Sequence, residues 1–171
     1  DQPNVQAAKD ATDSVLETVK QTGSLPESSE TQSFIEIMES LAPGDYVAIM
    51  TYVTQAPELD LALDGLRTAI VERYGVATTL GYGPRFLHST GQLHKGGPNS
   101  GVFVQLTSDH TPDTQVPGMT LTFGVLVGAQ ALGDLLALQA AKRRTVRIDA
   151  GDSAVGAVRG LIAELGDNGN G

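Results

Sequence analysis

Eighteen residues, PRFLHSTGQLHKGGPNSG from Pro84 to Gly101, hold most of the side chains in this sequence that could carry chemistry. They include two histidines, a lysine, an arginine and four glycines. A histidine titrates near neutral pH and moves protons to or from hydroxyl and ring oxygens. Glycines let backbone N–H groups approach a ligand, and Ser89 or Thr90 at the start of a short helix would suit a phosphate. We therefore predict a ligand loop, against the simpler interpretation that Gly and Pro only turn the chain between two strands.

The same stretch is a poor match to other kinds of site. His88 and His94 lie six residues apart, whereas metal ligands on one helix face need a spacing of three or four, and no acidic residue stands between them. The sequence has no cysteine, which excludes thiolate metal sites and disulfides. It also lacks a Walker loop, a complete G-x-G-x-x-G and a G-x-S-x-G motif. We predict no metal, no nucleotide and no other cofactor.

The flanking sequence alternates buried-strand and helix patterns. Val- and Ile-rich runs predict strands at 46–53, 76–82, 101–107 and 145–150. Helical periods predict helices at 5–19, 30–41, 57–75, 122–141 and 152–165, the last one capped by Gly166. This order predicts the α/β class: a doubly wound parallel sheet of four to five strands flanked by helices, of the flavodoxin or Rossmann type.

The breaker-rich segment QTGSLPESSE divides the chain. We predict an N-terminal helix and linker over 1–28, the α/β domain over 29–166 and a disordered tail over 167–171. In doubly wound sheets, ligands lie at the carboxyl ends of the strands. The expected walls of a site are therefore 51–55, 107–117 and 150–153, together with the 84–101 stretch.

Charge and hydropathy narrow the range of partners. Twenty acidic residues against eleven basic ones give a net charge of -9, which disfavours nucleic acid and anionic membranes. No apolar run has the length of a membrane span, and the first residues resemble no targeting signal. We expect a cytoplasmic protein.

Two segments resemble the glucose-6-phosphate isomerase family. STGQLHKGG before a strand is similar to the family segment T-N-G-Q-H, which also precedes a strand of the second sugar-isomerase (SIS) domain. TFGVLVGAQALGDL resembles the family signature W-G-V-E-L-G-K through Gly124, Val125 and Gly128. The resemblance is closest to the isomerase part of bacterial bifunctional transaldolase/glucose-6-phosphate isomerases, and it covers about residues 30 to 165. It implies a C-terminal SIS domain.

The resemblance implies roles for particular residues. His94 takes the place of the ring-opening histidine, although Leu93 is an extra residue between Gln92 and His94, which leaves His88 as an alternative. Ala129 stands where the family has a lysine, so that Lys95 or Gln130 would have to serve that end of the sugar. The substrate-binding residues expected from these two segments are Arg85, Ser89, Thr90, Gly91, Gln92, Gly96 and Gln130.

The function that the resemblance implies is interconversion of glucose 6-phosphate and fructose 6-phosphate by proton transfer between C1 and C2. No residue can be matched to the glutamate base of the family. Family isomerases also use a first SIS domain that holds the phosphate. We therefore expect the C-terminal part of an isomerase, incomplete alone, whose partners are the preceding SIS and transaldolase domains, with a homodimer as a further option. The alternative is a non-catalytic SIS module that binds a sugar phosphate for regulation or domain assembly.

Overall fold

The computed structural model describes residues 3–27, 32–110 and 112–167. Its centre is one sheet of four parallel strands in the order β2-β1-β3-β4. The strands are β1 (Tyr46–Tyr52), β2 (Ala77–Tyr82), β3 (Gly101–Thr107) and β4 (Arg144–Asp149). Helices cover both faces, so the predicted doubly wound α/β fold is confirmed.

Within the described residues, six α-helices alternate with or precede the strands. They are α1 (Pro3–Thr22), α2 (Phe34–Glu39), α3 (Pro57–Tyr74), α4 (Ser89–Gly96), α5 (Phe123–Ala140) and α6 (Ala154–Asp167). The 84–101 stretch, expected as a loop, is largely helical. A short 3-10 turn over Arg85–Leu87 leads directly into α4. This stretch therefore packs against the sheet over much of its length.

Two helix boundaries differ from the prediction. α2 begins later than residue 30, because Ser33 and Glu36 form a reciprocal capping box that fixes its first turn. α6 continues past Gly166, which does not adopt the left-handed conformation that ends a helix. Residues 28–31 of the predicted linker and 168–171 of the predicted tail lie outside the described residues.

The two faces of the sheet have separate cores. α2, α3 and α6 cover one face over a large aliphatic cluster that includes Val47, Ile49 and Val104. α4 and α5 cover the other face, where Met50, Tyr52 and other side chains pack with the 3-10 turn and α5. All side chains of β3 are buried, as expected for the inside of a parallel sheet.

α1 adds a further layer on the outside of α5. Ala8 and Val15 of α1 are buried, and Val15 packs with Ala129 and Leu132 of α5. The backbone N–H of Asn4 also donates to Gln92 Oε1 of α4 at 3.1 Å. α1, which was predicted as part of a segment separate from the α/β domain, thus packs on that domain. The predicted boundary between the two near residue 28 stays a prediction.

α5 is long and apolar enough, with a mean hydropathy of 1.4, to cross a membrane by length and composition alone. The core helix of a folded domain meets the same criterion. Here α5 lies between the sheet and α1, and most of its second half is buried. Its apolar composition is explained by this two-sided contact.

The order of the strands places a switch point between β1 and β3. From β1 the chain passes through α3 to β2 on one side, and it then returns to β3 on the other side of β1. The connections that leave β1 and β3 therefore separate at their carboxyl ends. Doubly wound folds bind ligands in the crevice that this separation opens.

Candidate functional site

A cleft of about 220 Å³ lies at this switch point. We call it the carboxyl-edge cleft. It is walled by the ends of β1, β3 and β4, the segment after β3 and the first turns of α5. The lining residues are Leu25, Tyr52, Thr107, Ser108, Asp109, His110, Asp113, Gly124, Val125, Val127, Gly128, Ala131, Arg147 and Asp149.

Strand register brings the polar residues of the cleft together. Tyr52 pairs with Thr107 across β1 and β3, and Thr107 pairs with Asp149 across β3 and β4. Val146 and Ile148 of β4 pack in the core on the opposite face, so the alternation of a strand directs Arg147 and Asp149 towards α5. The last residues of three strands thus form one wall.

Arg147 is the main cationic group of the cleft. Burial lowers the pKa of its guanidinium, an effect that the Asp149 carboxylate opposes. Within the described residues, its only hydrogen bond is a long one, from Nε to Thr107 Oγ1 at 3.4 Å, and it forms no ion pair there. An arginine remains charged in proteins, and its two Nη groups bind carboxylates and phosphates bidentately. Arg147 is therefore a partly desolvated cation with free donors.

The start of α5 borders the same cleft, but backbone N–H groups of its first turn already donate hydrogen bonds to other protein groups. Asp113 Oδ1 accepts from Gly124 N at 2.8 Å, and Thr122 Oγ1 accepts from Val125 N at 3.3 Å. Hydrogen bonds from Thr122 and from Gly124 hold the pKa of Asp113 below its ordinary value. This helix terminus is consequently capped, which leaves Arg147 as the group best able to bind an anion.

Carboxylates and hydroxyls complete the walls. Asp149 Oδ1 accepts from Gly151 N at 3.0 Å, whereas the Asp109 side chain makes no hydrogen bond or ion pair within the described part of the chain. Exposed carboxylates, the hydroxyls of Thr107 and Ser108 and one guanidinium form a mixed donor and acceptor set. Such a set can donate to and accept from hydroxyl groups, and Arg147 provides one cationic group.

His94 lies away from this cleft, on the inner side of α4. It is 5% exposed, and its ring packs edge-on against Phe103 with 4.9 Å between centroids. Burial and the neighbouring Lys95 ammonium lower the pKa of His94 from 6.5 to about 4, so the ring is neutral at pH 7. Its Nδ1 is buried without a hydrogen-bond partner in the described chain. His94 also lines a second cleft, of about 430 Å³, beside β2.

Lys95 and Asp134 form a buried ion pair between α4 and α5. Both side chains are at most 1% exposed. Burial raises the pKa of Asp134, and the Lys95 ammonium opposes this rise. Because its ammonium is engaged inside the protein, Lys95 joins two helices and is not presented to any of the clefts described here.

The other predicted residues are spread over several separate places. Arg85 and Thr90 line the cleft beside β2 together with His94. His88 and Gln130 line a groove of about 370 Å³ between α1 and α5. Gln92 and Gly96 contact Asn4 of α1. Gly91 is buried in α4, where a Cβ would lie 2.9 Å from the carbonyl oxygen of Phe86, and Ser89 is exposed.

The predicted site residues therefore do not form a single centre. Gly91 serves close packing of α4, in contrast to its expected role in backbone contact with a ligand. No cluster of three or more His, Cys, Asp or Glu side chains with metal-binding geometry occurs among residues 3–27, 32–110 and 112–167.

Sequence reasoning named the walls at 51–55 and 107–117 but did not select Arg147. A signal for it was present in TVRIDA, where polar Thr145, Arg147 and Asp149 alternate with Val146 and Ile148. Charged residues on one face of an otherwise buried strand, near its carboxyl end, are unusual unless that face opens onto a cleft.

Comparisons with known proteins describe the fold alone. No family model matches the chain, and no curated protein matches it significantly. A solved structure, that of a hypothetical protein from Thermus thermophilus, is similar with a TM-score of 0.60 and 16% sequence identity. The match covers 78% of this chain and 38% of that chain, so the present chain spans well under half of the neighbour's length.

Proposed function

We propose that this chain is the C-terminal SIS-type part of a hexose-phosphate isomerase and that it binds the sugar phosphate in the carboxyl-edge cleft. The observation that carries the proposal is Arg147, a half-buried guanidinium with free Nη donors at the switch point of a doubly wound sheet. A phosphate or another oxyanion would satisfy those donors.

The resemblance of α5 to the isomerase signature supports the same cleft. Gly124, Val125 and Gly128, the positions that match the signature, all line it. The hydroxyl and carboxylate groups around them suit the hydroxyls of a sugar. The negative charge of Asp109 and Asp149 opposes a phosphate dianion, so we expect modest affinity when no other domain contributes contacts.

The binding experiment is calorimetry of fructose 6-phosphate with the 171-residue chain and with Arg147→Gln. We expect the substitution to weaken binding about 10- to 100-fold, because hydrogen bonds to a charged group contribute roughly 1.5–3 kcal/mol. Arg159→Gln on α6 is the matched control, since it removes the same charge from an exposed position outside the cleft.

Equal affinity of the Arg147→Gln and unsubstituted chains would contradict the assignment of the anion to Arg147. Absence of any binding by the unsubstituted chain would contradict the proposed function itself. Circular dichroism of each variant checks that its fold is retained.

A second candidate function is a sugar-phosphate-binding module without catalysis. It is favoured by the positions of His94 and Lys95, which lie outside the carboxyl-edge cleft, and by the lack of a glutamate among the residues that line that cleft. Both candidates share the binding site, and they differ in turnover.

A further inference from the structure

β2 is an edge strand of the sheet, and one side of its backbone is unpaired. It pairs with β1 at all six of its positions. Gly83 N, just after the strand, donates to Thr51 O, so every second residue before Gly83 also turns its N–H and C=O groups towards β1. The residues between them point these groups away from the sheet, and no backbone hydrogen bond to them occurs within the described residues. They are Thr78, Leu80 and Tyr82.

The two edge strands differ in how they are protected against pairing with another chain. β4, at the opposite edge, carries Arg144, Arg147 and Asp149, and Arg144 also donates to the carbonyl oxygen of Ser40 just after α2. Folded proteins commonly protect an edge with charged side chains, prolines, bulges or a covering element. β2 has the sequence ATTLGY, without a charged residue or a proline, and its register with β1 is continuous. This edge is therefore able to accept another strand.

Two clefts lie along the open edge of β2. The cleft of about 430 Å³ described above is lined by residues 79–82 of the strand, and a further cleft of about 440 Å³ is lined by Thr78. α3 contributes to both, with Asp60 in the first cleft and with Asp64 and Glu72 in the second. An extended peptide of about six residues has the length of this edge, because a strand rises about 3.3 Å per residue.

The wall that α3 forms beside this edge is acidic. Asp60 and Glu72 make no ion pair within the described residues. The guanidinium of Arg67, on the same wall, is already paired with Asp64 at 3.0 Å. Arg85, which lines the first cleft, lies on the 3-10 turn. Since alternate side chains of a strand point to the same face, a strand paired with β2 presents every second side chain to these carboxylates.

We propose that β2 pairs with an extended segment of another polypeptide whose basic side chains, at alternate positions, face α3. Backbone hydrogen bonds to the open edge provide affinity, and Asp60 and Glu72 select basic side chains. A second copy of this chain fits the edge less well, because each copy carries a net charge of -9 and the same acidic wall. The proposal involves neither Arg147 nor the carboxyl-edge cleft, so it is independent of the proposed function.

The test is amide hydrogen exchange, measured for each residue by NMR, with the 171-residue chain and a synthetic peptide. The peptide has eight residues, acetylated and amidated at its ends, in which lysine alternates with valine. One control peptide carries glutamate in place of lysine. A second control keeps the lysines but has N-methyl groups on its internal amides, which prevents it from pairing as a strand.

We expect the lysine peptide to slow exchange about tenfold or more at the outward amides of Thr78, Leu80 and Tyr82. The amides of Thr79 and Gly81 face β1 and should be protected before the peptide is added. The glutamate peptide should bind about tenfold more weakly or not at all, because it meets carboxylates of the same sign. The N-methylated peptide should give no protection.

The acidic wall is tested with the double variant Asp60→Asn and Glu72→Gln. We expect it to bind the lysine peptide about 3- to 30-fold more weakly, since exposed ion pairs contribute little individually. Asp10→Asn with Glu17→Gln is the matched control, because it removes two exposed carboxylates from α1, which packs on α5 and not on β2. The control should bind as the unsubstituted chain does.

Unchanged exchange at the three outward amides in the presence of the lysine peptide would overturn the proposal. Equal binding of the glutamate peptide, or by the double variant, would contradict the role of the acidic wall. Equal binding of the N-methylated peptide would show that no strand pairing occurs. If the same amides are protected in the free chain and their protection increases with protein concentration, the edge binds a second copy and the proposal is wrong.

Discussion

At the scale of single residues, His94 illustrates how environment changes a side chain that the sequence marks as reactive. An isolated histidine titrates near pH 6.5, but packing on Phe103 and the proximity of Lys95 lower the pKa of His94 to about 4. Such a ring is a weak base at pH 7 and is held rigidly. Its predicted role in ring opening would require the sugar to enter the cleft beside β2, which is separate from the carboxyl-edge cleft proposed for binding.

The lowered pKa of His94 predicts how stability depends on pH. The unfolded chain takes up the proton first, so the stability from neutral His94 is complete above about pH 6.5 and is lost as the pH falls towards about 4. The loss across this interval is about 3 kcal/mol as an upper limit. We expect His94→Leu to flatten the pH dependence of the unfolding free energy, measured in urea between pH 4 and pH 7.

The control for this experiment is His88→Gln, which alters a histidine at the start of the same helix. The His94 prediction is wrong if the urea curves of His94→Leu and the unsubstituted chain change in parallel with pH. Comparing variants at each pH separates His94 from the carboxylates that titrate in the same range.

Lys95 is a second side chain that looks reactive in the sequence and whose surroundings in the fold change its role. The sequence places it beside His94 in a polar stretch, yet packing turns its ammonium into the interior, onto Asp134. Removing one partner of such a pair leaves a buried charge without compensation, which is strongly unfavourable. The pair therefore connects α4 and α5, and a loss of activity after substitution of Lys95 alone would not identify a catalytic group.

At the scale of elements, glycines determine how closely α1 approaches α5. A Cβ at Gly133 of α5 would lie 2.7 Å from the backbone N of Thr12 and 2.8 Å from its Cα, and a helix backbone cannot give way as a side chain can. Asn4 and Thr12 thus contact α4 and α5 at glycines, which explains why glycines occur inside helices where they reduce helix stability.

We predict that Gly133→Ala separates α1 from α5 and lowers the unfolding free energy by about 1–3 kcal/mol, as overpacking does. Cleavage within α1 during limited proteolysis should become faster. Gly160→Ala on α6 is the matched control, because no atom lies within 4 Å of a Cβ there and alanine favours a helix by about 0.5–1 kcal/mol. Equal stability and equal cleavage of the two variants would show that α1 does not pack closely on α5.

At the scale of the whole molecule, the carboxyl-edge cleft lacks some of the groups that the proposed isomerase reaction requires. The residues that line the carboxyl-edge cleft include three aspartates, one histidine and one arginine, but no glutamate. The net charge of -9 adds repulsion towards a sugar phosphate. A neighbouring domain that contributes cationic groups and a base would address both deficits, in agreement with the proposed isomerase of more than one domain.

We predict that the 171-residue chain alone does not interconvert fructose 6-phosphate and glucose 6-phosphate at a measurable rate. The assay couples glucose 6-phosphate formation to a dehydrogenase and compares this chain with the product of its complete gene. Turnover only by the complete product supports the isomerase. Turnover by the chain alone contradicts the prediction, and turnover by neither, with binding retained, favours the non-catalytic module.

The sequence by itself determined the class of the fold and the order of most elements, with α4 as the exception. Apolar runs at 46–53 and 101–107 and the helical periods of 57–75 and 122–141 are local signals, and all four elements form close to these predicted ranges. It also indicated the loop after β3 as a wall of a site, because carboxyl ends of parallel strands share one edge.

Only the tertiary structure decided which polar side chains meet. Strand pairing joins Tyr52, Thr107 and Asp149, which are separated by many residues in the chain, and packing of α4 and α5 buries Lys95 and His94 that had been expected to face a ligand. The spacing of apolar residues in the sequence indicates whether a segment has an apolar face. Which residue of another segment fills the space opposite depends on register and crossing geometry, and these are set by long-range packing.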